Sequence, residues 1–114
     1  LAGAKNASNI YYVSGYSAKT SDKAAAFAKA YKAKYGSEPS MFAALGYDSV
    51  YMVADAAQGA KNSKQIAENL AKTKDFKGVT GTMTVDKKHN PVKSVSVVGL
   101  IDGKESSATV VEAD

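Results

Sequence analysis

A chain of 114 residues, 45% hydrophobic and 23% charged, has the composition of an ordinary soluble globular domain and room for one core, not two. Its net charge of +4 rests on 15 cations, every one a lysine. Scattered lysine without arginine describes a solvated exterior and speaks against a nucleic-acid partner, because guanine and phosphate are read by bidentate arginine. The lack of cysteine removes disulfides, thiolate nucleophiles and cysteine-ligated zinc, and the single histidine, His89, cannot build a metal site alone. No metal and no cofactor are therefore expected. No apolar run approaches the roughly 20 residues that a membrane helix needs.

In chain order, Ile10–Val13 is β-branched and aromatic and predicts a short buried strand. Residues 14–21 are polar and turn-like. Ser21 fits a helix N-cap and Asp22 the positive end of a helix over 22–35, where six alanines and four lysines all favour that state. Ala24, Phe27, Ala28, Tyr31 and Tyr35 form one narrow apolar stripe, and Gly36 is the expected stop. Pro39 places the start of a second helix at or after itself. Thirteen of the seventeen residues 41–57 are apolar, so this helix needs cover on several sides; Gly46 and Ser49 leave room for another backbone, and Gly59 ends it. Asn62 or Ser63 caps a third helix reaching about residue 72, anchored by Ile66 and Leu70.

Past Gly78 the period changes to two. Thr82, Thr84 and Asp86 alternate with Met83 and Val85, a half-buried strand, and 87–91 is a loop. A second strand is expected over 93–101, a type I′ turn at Asp102-Gly103, and a third strand over 105–111, all antiparallel, with a frayed tail at 112–114.

The run FAKAYKAKYGSEPSMFAALGYDSVYMVADAA at 27–57, followed by IAENLAKTKDFKGVTGTMTVDKKHNPVKSVSVVGLIDGK at 66–104 and preceded by YYVSGYS, resembles the C-terminal third of branched-chain amino-acid substrate-binding proteins of ABC transporters. These are type I periplasmic binding proteins, and the likeness covers nearly the whole chain. It implies an α/β fold of two lobes with the ligand in the cleft between them, of which this chain, α+β on its own, supplies one partial domain. Residues 1–78 are expected to form an α/β lobe portion and 79–114 a β-strand segment. Leu1–Lys5 carry no initiating methionine and no signal-type segment, which predicts a piece cut from a longer chain. The resemblance further implies a branched-chain amino acid as ligand of the full-length protein, ABC permease subunits as partners, and an extracytoplasmic location, in the periplasm or as a surface lipoprotein. A self-associating scaffold or a sensory module of the same fold is the alternative. A catalytic role is not expected: the chain has neither G-x-S-x-G nor a phosphate-cradling loop.

Two aromatic residues fall where the resemblance implies ligand contacts, Tyr16 after the first strand and Phe42 near the start of the second helix, and Tyr47 in GYDS is a third candidate. Each has a second reading as a packing residue. Asp48 and Asp55 share a helix face, but a rise of about 10.5 Å separates them, too far for paired acid–base work, so a solvated or salt-bridged helix edge is expected there. The apolar second helix and the strand at 10–13 also predict that the isolated chain associates, as a homodimer or higher, with exchange of the C-terminal hairpin as one route.

Overall fold

The computed structural model describes residues 3–113. Leu1, Ala2 and Asp114 lie outside the described residues, and with them part of the expectations for the cut N-terminus and the frayed tail. Each α-helix begins on a side-chain cap that accepts one of the backbone donors left free at a helix start. Helix α1 spans Asp22–Tyr35, with Ser21 Oγ accepting from Ala24 N–H at 3.1 Å, and closes on Gly36 at φ 75°. Helix α2 spans Met41–Ala57 with Ser40 as its cap. Helix α3 spans Ser63–Ala71; Asn62 Oδ1 accepts from Gln65 N–H, and Gln65 Oε1 accepts from Lys61 N–H in return.

Among the described residues, six strands form two antiparallel three-stranded sheets. Strands β1 (Ile10–Ser14), β5 (Val95–Ile101) and β6 (Lys104–Val111) make the first, in the order β1-β5-β6. Strands β2 (Phe76–Gly78), β3 (Gly81–Val85) and β4 (Pro91–Lys93) make the second, in the order β2-β3-β4. Asp102 and Gly103 both take positive φ, 49° and 73°, as the expected β5–β6 turn requires.

The expected class is present: one strand, three helices, then antiparallel strands. Two details differ. The stretch 93–101 is two strands, not one, because Ser94 leaves one ladder and the chain enters the other: Lys93 is opposite Met83, and Val95 is opposite Val111. Strand β2, three residues long, is too short for alternation to show.

The strand at 10–13 is not buried as its composition predicts. Tyr11 and Val13 are each 69% exposed, and β1 is the outer strand of its sheet. The core is small: Tyr16, Ala24, Phe27, Ala44 and Val79, with Ala18, Tyr31 and Met41 against it. The radius of gyration, 16.4 Å, exceeds the roughly 13 Å of a compact domain this long, and the principal extents are 55 × 35 × 25 Å. Of the space expected beside Gly46 none is used: a Cβ there would meet nothing within 4 Å. Among the described residues no helix is long and apolar enough to cross a membrane.

Candidate functional site

The polar centre of the molecule is a turn held by a helix. Val79 and Thr80 join β2 to β3, and their backbone N–H groups point at the carboxylate of Asp48 on α2. Val79 N–H donates to Oδ1 at 2.8 Å, and Thr80 donates to Oδ2 through its N–H at 2.9 Å and its hydroxyl at 2.7 Å. Asp48 is only 2% exposed, so these bonds replace the water that its charge gave up. Two glycines make the fit possible. A Cβ on Gly78 would lie 2.2 Å from Asp48 Oδ2, and one on Gly81, at φ +108°, would lie 2.3 Å from Ser94 Oγ.

Lys93, the last residue of β4, reaches across this turn. Its ammonium donates to Thr80 O at 2.9 Å and to Gly15 O, just past β1, at 3.1 Å. Burial pulls its pKa below the ordinary lysine value, and the Asp48 carboxylate opposes that shift.

Beside this centre an open cleft of about 880 Å³ runs between β1, the loop after it and the start of α2, with Tyr12, Tyr16, Ser17, Glu38, Met41 and Glu105 in its walls. The Glu105 carboxylate accepts from Tyr12 OH at 3.0 Å and from Ser17 Oγ at 2.9 Å, which draws β6 onto β1 and its loop. Tyr16 is buried, donates its hydroxyl to Ala24 O at 3.3 Å, and meets Phe27 edge-on at 5.8 Å between ring centroids. Burial first, then the charges of Glu38 and Glu105, push the Tyr16 phenol up to about 12. The cleft can offer a ligand hydroxyl and carboxylate oxygens along an apolar floor, and its fixed charges are Glu38, Glu105 and Lys19.

The sequence-predicted residues separate into distinct places. Tyr16 and Tyr47 flank the same ring: Phe27 lies 4.7 Å from Tyr47, which continues to Tyr51 at 4.7 Å and donates its hydroxyl to that of Tyr51 at 3.3 Å. Phe42 stands apart from this stack in the first turn of α2, 77% exposed. His89 is exposed in the β3–β4 turn, at φ 64°. The expectation of a solvated edge at Asp48 and Asp55 is corrected for Asp48, which is the buried anchor of the turn; Asp55 alone is exposed. A signal for that role exists in the sequence: Asp48 occupies the same four-residue row as Ala44, Met52 and Ala56, which all turn inward. Lys93 carries no such signal, since a lysine at a strand end reads as solvated.

The periplasmic binding protein family model matches residues 1–105. Among solved structures, the branched-chain amino acid transporter substrate-binding protein LivJ from Streptococcus pneumoniae, in complex with isoleucine, is 56% identical over 95% of this chain and 32% of its own, with a TM-score of 0.81. The leucine-binding protein LivK from Thermotoga maritima is 30% identical over 95% of this chain and 32% of its own, at 0.75. An ABC transporter substrate-binding protein from Desulfitobacterium hafniense, complexed with Leu, shares the fold at 23% identity and 0.79, over 91% of this chain and 32% of its own. The chain thus spans about a third of the length of these proteins. No curated protein matches it.

Proposed function

The chain belongs to the periplasmic binding protein family, and on that premise we propose that it is part of the substrate-binding component of an ABC importer for branched-chain amino acids. The observation that carries this reading is the likeness to the isoleucine-bound Streptococcus pneumoniae protein along nearly the whole of this chain. Helices α1–α3 with the sheet β2-β3-β4 belong to one lobe, the sheet β1-β5-β6 to the other, and the single residue Ser94 lies at one crossing between them. The division of elements between the two sheets supports this assignment. The protein works outside the cytoplasm and delivers its ligand to permease subunits.

Phe42 supplies an apolar wall for the ligand side chain; its exposure at the start of α2, beside the cleft residues Ser40 and Met41, supports the role. Tyr16 lines the cleft with its ring and is fixed there by Ala24 O. Tyr47 braces Phe27, and through it Tyr16. An amino-acid zwitterion needs both charged ends paired once it is desolvated, and those partners come from the part of the two-lobed protein that this chain does not span. This chain alone therefore gives no saturable binding of leucine, isoleucine or valine in calorimetric titration.

The test is a chimera in which this chain replaces the matching third of the Streptococcus pneumoniae protein. Titration with isoleucine is expected to show saturable binding, weakened at least about tenfold by Phe42→Ala, since a buried aromatic contributes about 1.5–3 kcal/mol. A folded chimera that binds no branched-chain amino acid overturns the reading.

A further inference from the structure

Lys93 sits where the chain returns from the second sheet to the first; the outward passage leaves β1 at Gly15 and reaches β2 through the three helices. Lys93 ends β4, Ser94 follows, and Val95 begins β5. A connection one residue long brings the sheets close without by itself fixing the angle between them. The Lys93 ammonium contacts both sides. Gly15 O belongs to the chain leaving β1 in the first sheet, and Thr80 O belongs to the β2–β3 turn in the second. The second side is itself rigid, because Asp48 holds Val79 and Thr80 from α2. Both bonds are charge-assisted and half-buried, so water competes with them poorly.

We propose that Lys93 is a positioning residue that latches the two sheets at a fixed angle, tying the end of β1 to the turn that α2 anchors. Its geometric part stands on these hydrogen bonds alone; its consequence, that the latch sets how far a two-lobed binding protein opens, rests on the function proposed above. The interdomain motions of two-lobed proteins turn on a few residues at such crossings. A bond that must break or re-form as the lobes rotate sets the rate of closure as well as its extent.

The chain has no cysteine, so spin labels go where they are placed. Ala67→Cys on α3 and Thr109→Cys on β6 report the distance between the two units, and Ala33→Cys with Ala67→Cys reports a distance within one; all three positions are exposed. Labelled chain is diluted in unlabelled chain, so that distances between copies drop out. The Lys93→Met variant is expected to widen the Ala67–Thr109 distance distribution at least about twofold and to leave the Ala33–Ala67 distribution unchanged. The Lys93→Arg variant, whose guanidinium can still donate to two carbonyls, is expected to restore at least half of the lost narrowness. An unchanged Ala67–Thr109 distribution in Lys93→Met overturns the proposal. So does a widening that Lys93→Arg leaves in place, and so does an equal widening of both distributions, which would make Lys93 a general stabiliser of the fold. No ligand enters the measurement, so it stands whether or not the chimera binds isoleucine.

Discussion

Asp48 and Thr80 are joined by two hydrogen bonds to one oxygen: the Thr80 N–H at 2.9 Å and the Thr80 hydroxyl at 2.7 Å both end on Asp48 Oδ2. The residues are 32 positions apart, and the contact fixes a β-turn against the middle of a helix. With Val79 on the other oxygen, the carboxylate does for this turn what an N-cap does for a helix: it satisfies backbone donors that face inward and away from water. Lys93 holds the same Thr80 from the other side, so the β4–β5 crossing is tied to this anchor.

Asp48→Ala leaves two buried backbone donors and one hydroxyl without a partner, at a cost of about 3 kcal/mol. The urea midpoint is expected to fall accordingly with little change in slope. Asp48→Asn keeps a single carbonyl acceptor and is expected to lose about half as much. An Asp48→Ala variant within about 0.5 kcal/mol of the parent would show that the turn is held by something else.

Glycines in this chain divide into those that need the missing side chain and those that do not. Gly78→Ala drives a Cβ to 2.2 Å from the Asp48 carboxylate, so the anchor must move; a loss of at least about 2 kcal/mol is expected. Gly46 lies inside α2 with open space around it. Gly46→Ala is expected to raise stability by somewhat under about 1 kcal/mol through helix propensity. Thermal melts of the two variants should move in opposite directions, and a stabilised Gly78→Ala would contradict the close approach seen at the turn.

The helices were legible because their ends carry chemistry in single residues. Ser21 and Asn62 cap the helices that follow them, Pro39 bounds the start of the second, which Ser40 caps, and Gly36 ends the first. The hairpin turn was legible for the same reason, in Asp102-Gly103. What composition hid was partner choice. Ile10–Val13 has a core strand's residues, yet it pairs with Val97–Leu100, nearly ninety residues onward, and is left exposed at the sheet's edge. Residues 93–101 have one strand's residues, yet divide between two sheets at Ser94. Lys93 has an ordinary surface identity; Asp48 shares a row with Ala44, Met52 and Ala56, but the turn it holds comes from 31 residues onward, out of reach of local pattern. Local propensity describes a segment's own state; burial is decided by what arrives from elsewhere in the chain.

Tyr16 makes stability depend on pH at the alkaline end. Burial and the charges of Glu38 and Glu105 raise its pKa from 10.0 to about 12. Because the folded value lies above the unfolded one, its contribution is full below about pH 10 and is lost as pH climbs from 10 toward 12. Over that interval the Tyr16 share of the loss is on the order of 2–3 kcal/mol. Tyr12, through burial and Glu105, and Tyr47, through its bond with Tyr51, are shifted the same way. Tyr16→Phe should therefore flatten the fall without abolishing it. Urea midpoints at pH 9 and 11.5, read beside a tyrosinate absorbance titration, check this. Equal slopes in the parent and Tyr16→Phe would remove Tyr16 from the account.

Without the remainder of a two-lobed protein, this chain leaves apolar faces uncovered. Helix α2 presents Phe42 at 77%, Val50 at 68%, Tyr51 at 50% and Val53 at 47% exposure, and β1 presents Tyr11 and Val13 at 69% each. A soluble monomer tolerates a contiguous apolar patch of about 400 Å², and these two faces together invite cover. Strand β1 pairs with β5 on one side only, so its other edge offers unpaired backbone donors and acceptors to a second strand. A two-fold dimer can meet both needs, with β1 of one copy against β1 of the other and the α2 faces drawn together. Exchange of the C-terminal hairpin is the less favoured route, because β5 is already held over five residue pairs by β1 of its own chain. Light scattering over a concentration series should show mass rising above the monomer value. Tyr11→Lys with Val13→Lys, which places charge on the edge strand, should return it to monomer. A monomer mass at every concentration would mean that these apolar faces stay in water uncovered, and the dimer would have to be abandoned.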